Sequence, residues 1–217
     1  MSGAAIEAKG NPWSGGTLPY ALHSKKFGMW LFLVSDAISF GAILVAYAYV
    51  RMAEGNWPLH FSTSSVGLAS VMTFLLMTSS LTMMVALSKA RAKDRVQASN
   101  WIFITMALGL GFIAIHGYEW MHLIEHGITP SSFAFEEGEE LIKGPPMFGG
   151  TFFLITGMHM LHITGGVVYL FGMGLAYRFG KFRLVDLEVM GLYWHFVDLV
   201  WMFVFPMVYL TSVDTKL

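Results

Sequence analysis

Five long apolar stretches separated by short polar segments organise this chain. They run near residues 27–50, 66–87, 101–123, 147–177 and 189–213. Each is long enough to cross a bilayer hydrocarbon layer, which takes roughly 20 apolar residues as a helix. The pattern predicts an all-α membrane protein, a bundle of five transmembrane helices, with residues 27–213 forming one domain. Residues 1–26 read as an amino-terminal segment and 214–217 as a short tail. The fourth stretch is the longest, and its ends leave room for an interfacial turn.

Composition agrees with the bilayer as solvent. Hydrophobic residues make up 55% of the 217 and charged residues only 12%, with a mean hydropathy of +0.59, too apolar for one water-soluble domain of ordinary composition. The few charges are distributed unevenly. With a cytoplasmic amino terminus, that side carries Lys9, Lys25, Lys26, Lys89, Arg91, Lys93, Arg95, Arg178, Lys181 and Arg183, and only Arg51, Lys143 and Lys216 fall on the other. Positive charge concentrates on the cytoplasmic side of membrane proteins, so the carboxyl terminus is expected outside. The connection between the third and fourth stretches contains Glu136, Glu137, Glu139 and Glu140, read as a solvated acidic face. Residues 1–26 lack the apolar core of a cleavable signal peptide. The absence of cysteine excludes disulfides, thiolate metal sites and haem attachment through C-x-x-C-H. Nothing in the charge pattern points to nucleic acid.

Polar groups inside the apolar stretches are where function is sought, because they are costly there unless paired. The segment GLYWHFVDLVW at 191–201 carries His195 and Asp198 three residues apart, on one helix face. They are expected to pair. Trp194, Asp198 and Trp201 follow an i, i+4, i+7 spacing and define a face expected to point into protein. Asp36 lies about nine residues into the first stretch, roughly 14 Å at 1.5 Å per residue and near the middle of the layer. Burial there favours a neutral carboxyl, with Ser35 and Ser39 as candidate donors. Such a carboxyl could fix helix packing or serve proton or lipid traffic, and the residues leave both open.

The third stretch carries His116, Glu119, Trp120 and His122, followed by His126. Helical spacing puts His116 beside both Glu119 and Trp120. The fourth carries His159 and His162 on one face, with Gly157, Gly165 and Gly166 allowing close approach of a neighbour. These histidines suggest either hydrogen-bonded core residues or ligands to a metal or haem iron. A bis-histidine haem would need His116 or His195 as the partner at matching depth, and no Glu-x-x-His di-metal pattern accompanies them.

Four segments in order, SDAISF at 35–40, GYEW at 117–120, TGMHMLHITGG at 156–166 and YWHFVDLVW at 193–201, resemble subunit III of the haem–copper respiratory oxidases, over residues 27–210. The resemblance implies a five-helix form of a fold that has seven helices in longer members, where lipid sits in a cleft between the first two helices and the rest. It implies a subunit with no redox centre and no catalytic residue or metal ligand of its own. Such a subunit packs against catalytic subunit I, which carries haems and copper, within a complex that includes subunit II, and it supports sustained turnover and proton uptake. By position Asp36 matches a buried acid that is glutamate in many members, and Glu119, His159, His162, His195 and Asp198 match other intramembrane polar positions. Arg178 matches a lipid-phosphate contact. Together with Trp194 and Trp201 it is the candidate for binding phospholipid.

The expectation is therefore a non-redox subunit of a proton-pumping cytochrome c oxidase in a bacterial cytoplasmic (inner) membrane. The same subunit of a quinol oxidase is the second reading. A bis-histidine membrane cytochrome and a structural subunit of a related nitric oxide reductase stand as alternatives of different class.

Overall fold

In the computed structural model, which describes residues 24–54, 57, 63–131, 134–137, 140–143, 146–181 and 183–212, the five stretches form helices α1 (Ser24–Ala53), α2 (Thr63–Arg91), α3 (Arg95–Glu125), α4 (Pro146–Arg178) and α5 (Leu184–Val204). All five are long and apolar enough to cross a membrane. The segments 1–23 and 213–217, and with them Lys9 and Lys216, lie outside the described residues.

Polar caps carry the helices past their apolar stretches. At the start of α3 the Asp94 carboxylate accepts the Gln97 N–H at 3.1 Å, satisfying one of the free amides of a first turn. At the start of α5 the Asp186 carboxylate accepts the Arg183 N–H at 3.3 Å. The fourth helix is continuous, with no interfacial turn. At the far end of α5, Pro206 supplies no N–H and crowds the preceding turn. There the helix widens into a π turn over Phe205–Tyr209 before a short 3₁₀ turn at Leu210–Ser212. Between α3 and α4 a two-stranded antiparallel hairpin, β1 (Ala134–Glu137) and β2 (Glu140–Lys143), pairs Glu137 with Glu140. The acidic run read as a solvated face thus falls partly in this hairpin; Glu139 lies outside the described residues.

Sequential helices α2, α3, α4 and α5 pack in turn, and α5 returns against α2, so these four enclose the core. The first helix lies outside this group, against α5 and α4. Its buried stripe is Leu33, Asp36, Phe40 and Tyr47, spaced for one helix face. Ile38 and Val45, each 69% exposed, belong to the opposite apolar face.

Side-chain hydrogen bonds knit the four-helix group. Thr82 and Thr105 hydroxyls meet at 2.8 Å across α2 and α3, and Ser99 donates to the Gly174 carbonyl at 2.9 Å across α3 and α4. The indole of Trp194 donates to Ser79 Oγ and that of Trp201 to Thr73 Oγ1, both at 2.9 Å, across α5 and α2. Within a bilayer each such bond contributes about 0.6 kcal/mol on average.

Glycines admit the Trp194 ring. A Cβ on Gly109 would sit 2.8 Å from its Cη2, and one on Gly166 2.8 Å from its Cζ3. Gly157 similarly seats Trp120, at 3.2 Å. The close approach expected at Gly165 is not made: nothing lies within 4 Å of a Cβ there.

Ion pairs gather at the basic end of the bundle. Lys25 reaches Asp186, Lys26 reaches Glu188 at 2.6 Å, and Arg91 reaches the same carboxylate at 3.1 Å, tying α1 and α2 to α5. At the far end Arg51 bonds Thr211 and, at 3.1 Å, Ser212 Oγ.

Candidate functional site: a buried polar array

Asp36, on the buried stripe of α1, faces α4, where its Oδ1 lies 3.2 Å from His162 Nε2. The other ring nitrogen, His162 Nδ1, lies 2.8 Å from the Met158 carbonyl oxygen. A carbonyl only accepts, so Nδ1 carries a proton. Nε2 is therefore the ring nitrogen that faces the Asp36 carboxyl. The donors expected from the sequence are not used. Ser35 donates to the Phe32 carbonyl and Ser39 to the Ser35 carbonyl, because helical hydroxyls reach their own preceding turn. The partner of Asp36 comes from another helix instead.

One turn earlier on α4, His159 is 1% exposed. Its ring stacks on Trp201 with centroids 5.1 Å apart and meets the edge of Phe112 at 5.8 Å. Phe112 in turn stacks on His116 at 5.5 Å. The spacing of α3 brings His116 and Glu119 together as expected, with Nδ1 3.4 Å from Oε2, and puts Trp120 beside the same imidazole at 5.5 Å. The same Glu119 oxygen accepts the Tyr209 hydroxyl at 2.7 Å. Tyr209 stands in the π turn that follows Pro206. The array therefore draws on α1, α3, α4 and α5 and runs from the middle of the bundle toward its far end.

The pairing expected of His195 with Asp198 is not made. Both are half-buried, yet no hydrogen bond or ion pair joins them, and Asp198 Oδ1 has no hydrogen-bond partner among the described residues. Ser80 of α2 is the side chain beside the Asp198 carboxyl. His195 lines a groove between α1 and α5 with Trp30, Leu33 and Phe196. A spacing of three sets two residues on one face but leaves their side chains free to turn to different neighbours.

Trp194 and Trp201 require a second correction. They point into protein, as the i, i+4, i+7 face predicts, and for that reason they do not meet lipid: they are 1% and 0% exposed and spend their indole N–H groups on Ser79 and Thr73. Arg178 is exposed at the end of α4 and donates to Asn100 Oδ1 at 3.1 Å. His122 and His126 lie at the opposite end of α3, with rings 4.2 Å apart, outside the array.

Sequence reasoning missed Tyr209, Tyr193, Thr73 and Ser79. Tyr193 donates to the His162 carbonyl at 2.8 Å. The available signal was general: a Tyr or Trp in an apolar helix carries a polar handle that needs a partner, and hydroxyls within membrane-grade stretches are the usual acceptors. Among the described residues, no three of His, Asp and Glu converge as ligands for a metal ion.

The family model for cytochrome c oxidase subunit III matches residues 12–213. The chain is 29% identical over 219 residues to cytochrome c oxidase subunit 3 of Alkalihalophilus pseudofirmus, covering 98% of this chain and 99% of that protein. It is 30% identical to cytochrome bo(3) ubiquinol oxidase subunit 3 of Pseudomonas putida, over 86% of this chain and 85% of that one. Quinol oxidase subunit 3 of Bacillus subtilis is 29% identical, over 84% and 85%. With that match running through all five spans, the chain belongs to the cytochrome c oxidase subunit III family.

Proposed function

We propose that this chain is a non-redox, non-catalytic subunit of a proton-pumping terminal oxidase that takes electrons from cytochrome c, and that it stabilises catalytic subunit I, holds phospholipid and supports proton uptake. The observation that carries the reading is the engagement of His162 with a carboxyl of another helix. His162 uses Nδ1 on its own helix and Nε2 on Asp36, and His116 turns Nδ1 to Glu119. Of these the Asp36–His162 contact joins two helices, and haems and copper are assigned to partner subunits. The outward apolar face of α1 suits lipid or a neighbouring subunit.

The concentration of Lys and Arg at one end supports a cytoplasmic amino terminus and an extracytoplasmic carboxyl terminus in a bacterial inner membrane. At that end Arg178 presents a fork suited to a lipid phosphate. Assembly as subunit III of a quinol oxidase is the second reading, favoured by relatives that carry that name.

Purification through a tag on this chain from native membranes tests the proposal. It should bring down a haem-bearing subunit, while the chain separated from that complex shows no haem absorption. A stoichiometric haem band in the separated chain would contradict the non-redox reading. In the intact preparation, oxidation of reduced cytochrome c against that of a quinol identifies the donor.

A further inference from the structure

The centre of the bundle holds a concentration of polar atoms that the protein leaves without hydrogen bonds. Both ring nitrogens of His116 and of His159, Oε1 of Glu119, Nε1 of Trp120 and Oδ2 of Asp36 have no hydrogen-bond partner among the described residues. His116 is 0%, His159 1%, Glu119 5% and Asp36 8% exposed. Each imidazole carries at least one N–H, so donors as well as acceptors are stranded. Leaving such groups dry is among the more destabilising arrangements a protein can hold. Elsewhere in the same interior Trp194, Trp201, Ser99 and Thr105 find acceptors, and Trp57 Nε1, Ser80 Oγ and Asp198 Oδ1 are the other buried atoms without a partner among the described residues.

Ring contacts place most of these atoms in one neighbourhood. Trp201 lies 5.1 Å from His159 and 5.7 Å from His116, and Trp120 lies 5.5 Å from His116, centroid to centroid. Asp36 joins from the other side, since Phe40 contacts both its partner His162, at 5.3 Å, and His159, at 6.4 Å.

The chemistry of the set selects its ligand. A cation would ask for acceptors alone, and no three of these groups converge as metal ligands. An anion would ask for donors alone, whereas Glu119 Oε1 and one nitrogen of each neutral imidazole accept. Water offers both. We propose that the bundle interior is a binding site for ordered water, held by His116, His159, Glu119 and Trp120, which links the Asp36–His162 pair to the Glu119–Tyr209 pair in one hydrogen-bonded array. The site does not depend on the oxidase reading, because it rests on the burial and valence of these side chains.

Radiolytic hydroxyl labelling of the purified complex in H₂¹⁸O, read by mass spectrometry, tests the proposal in the unaltered protein. Side chains touching bound water take up ¹⁸O from it despite being closed to bulk solvent. Trp120, His116 and His159 should be labelled several-fold more than Trp194, which is equally buried but bonded to Ser79. Labelling no greater than that of Trp194 would overturn the proposal. His159→Phe gives an independent sign. In a hydrated site it removes bonds to water and lowers Tm by several degrees, whereas in a dry site it removes an unpaired group and leaves Tm unchanged or higher, which would also overturn the proposal. Where His159→Phe does not assemble, the labelling of the unaltered protein decides alone.

Discussion

Asp36 on α1 and His162 on α4 meet at 3.2 Å between Oδ1 and Nε2. The first helix lies outside the four-helix group, so this pair is a polar anchor holding it to α4. Asp36→Leu leaves Nε2 without its partner and is expected to cost about 1–3 kcal/mol. Asp36→Asn should cost less than about 1 kcal/mol, since its amide can still donate to Nε2. In thermal denaturation of the purified protein, Asp36→Leu with His162→Leu should cost clearly less than the sum of the two. Additive losses would dissolve the pair.

Glu119 Oε2 accepts the Tyr209 hydroxyl, with His116 Nδ1 3.4 Å from the same oxygen, and so ties the π turn at the end of α5 to α3. Tyr209→Phe removes the shorter of these contacts without changing the shape of the ring. It should lower stability by about 0.5–1.5 kcal/mol, the range for a typical hydrogen bond. Glu119→Gln, which keeps an acceptor for the hydroxyl, should lose less. No loss for Tyr209→Phe in denaturant titrations would show that Tyr209 acts through packing alone.

Gly109 and Gly166 form the seat of the Trp194 ring, while Gly165 faces open space. Gly109→Ala and Gly166→Ala should each destabilise by about 1–3 kcal/mol through overpacking, and Trp194→Phe should relieve part of that loss. Gly165→Ala should have no destabilising effect. Thermal scans of the three alanine variants check the contrast, and a Gly165→Ala loss as large as that of Gly166→Ala would contradict it.

The fold was legible because five uninterrupted apolar stretches leave few alternatives. Their ends were not, since capping by Asp94 and Asp186 draws polar residues into helix that a hydropathy pattern assigns to loops. Within the site, the His116–Glu119 pair could be read from helical spacing. The same spacing failed for His195 and Asp198, whose side chains turn to an apolar groove against α1 and toward Ser80 of α2. The Asp36–His162 pair joins residues 126 positions apart, and no periodicity in one sequence announces such a contact. Trp194 and Trp201 look like interfacial anchors by residue type alone. Their inward orientation was legible from the i, i+4, i+7 spacing, whereas their partners, Ser79 and Thr73, lie on a different helix.

The central claim, that this chain supports its oxidase without performing the chemistry, is tested most directly by removing it from the purified complex and following oxygen consumption over successive turnovers. The initial rate should stay largely intact while activity decays sooner than in the complete complex, and Arg178→Ala should shorten the active lifetime to a smaller degree by loosening a lipid headgroup. Loss of the first turnovers themselves, with the haem content of subunit I unchanged, would contradict the claim and assign the chain a direct part in electron or proton delivery.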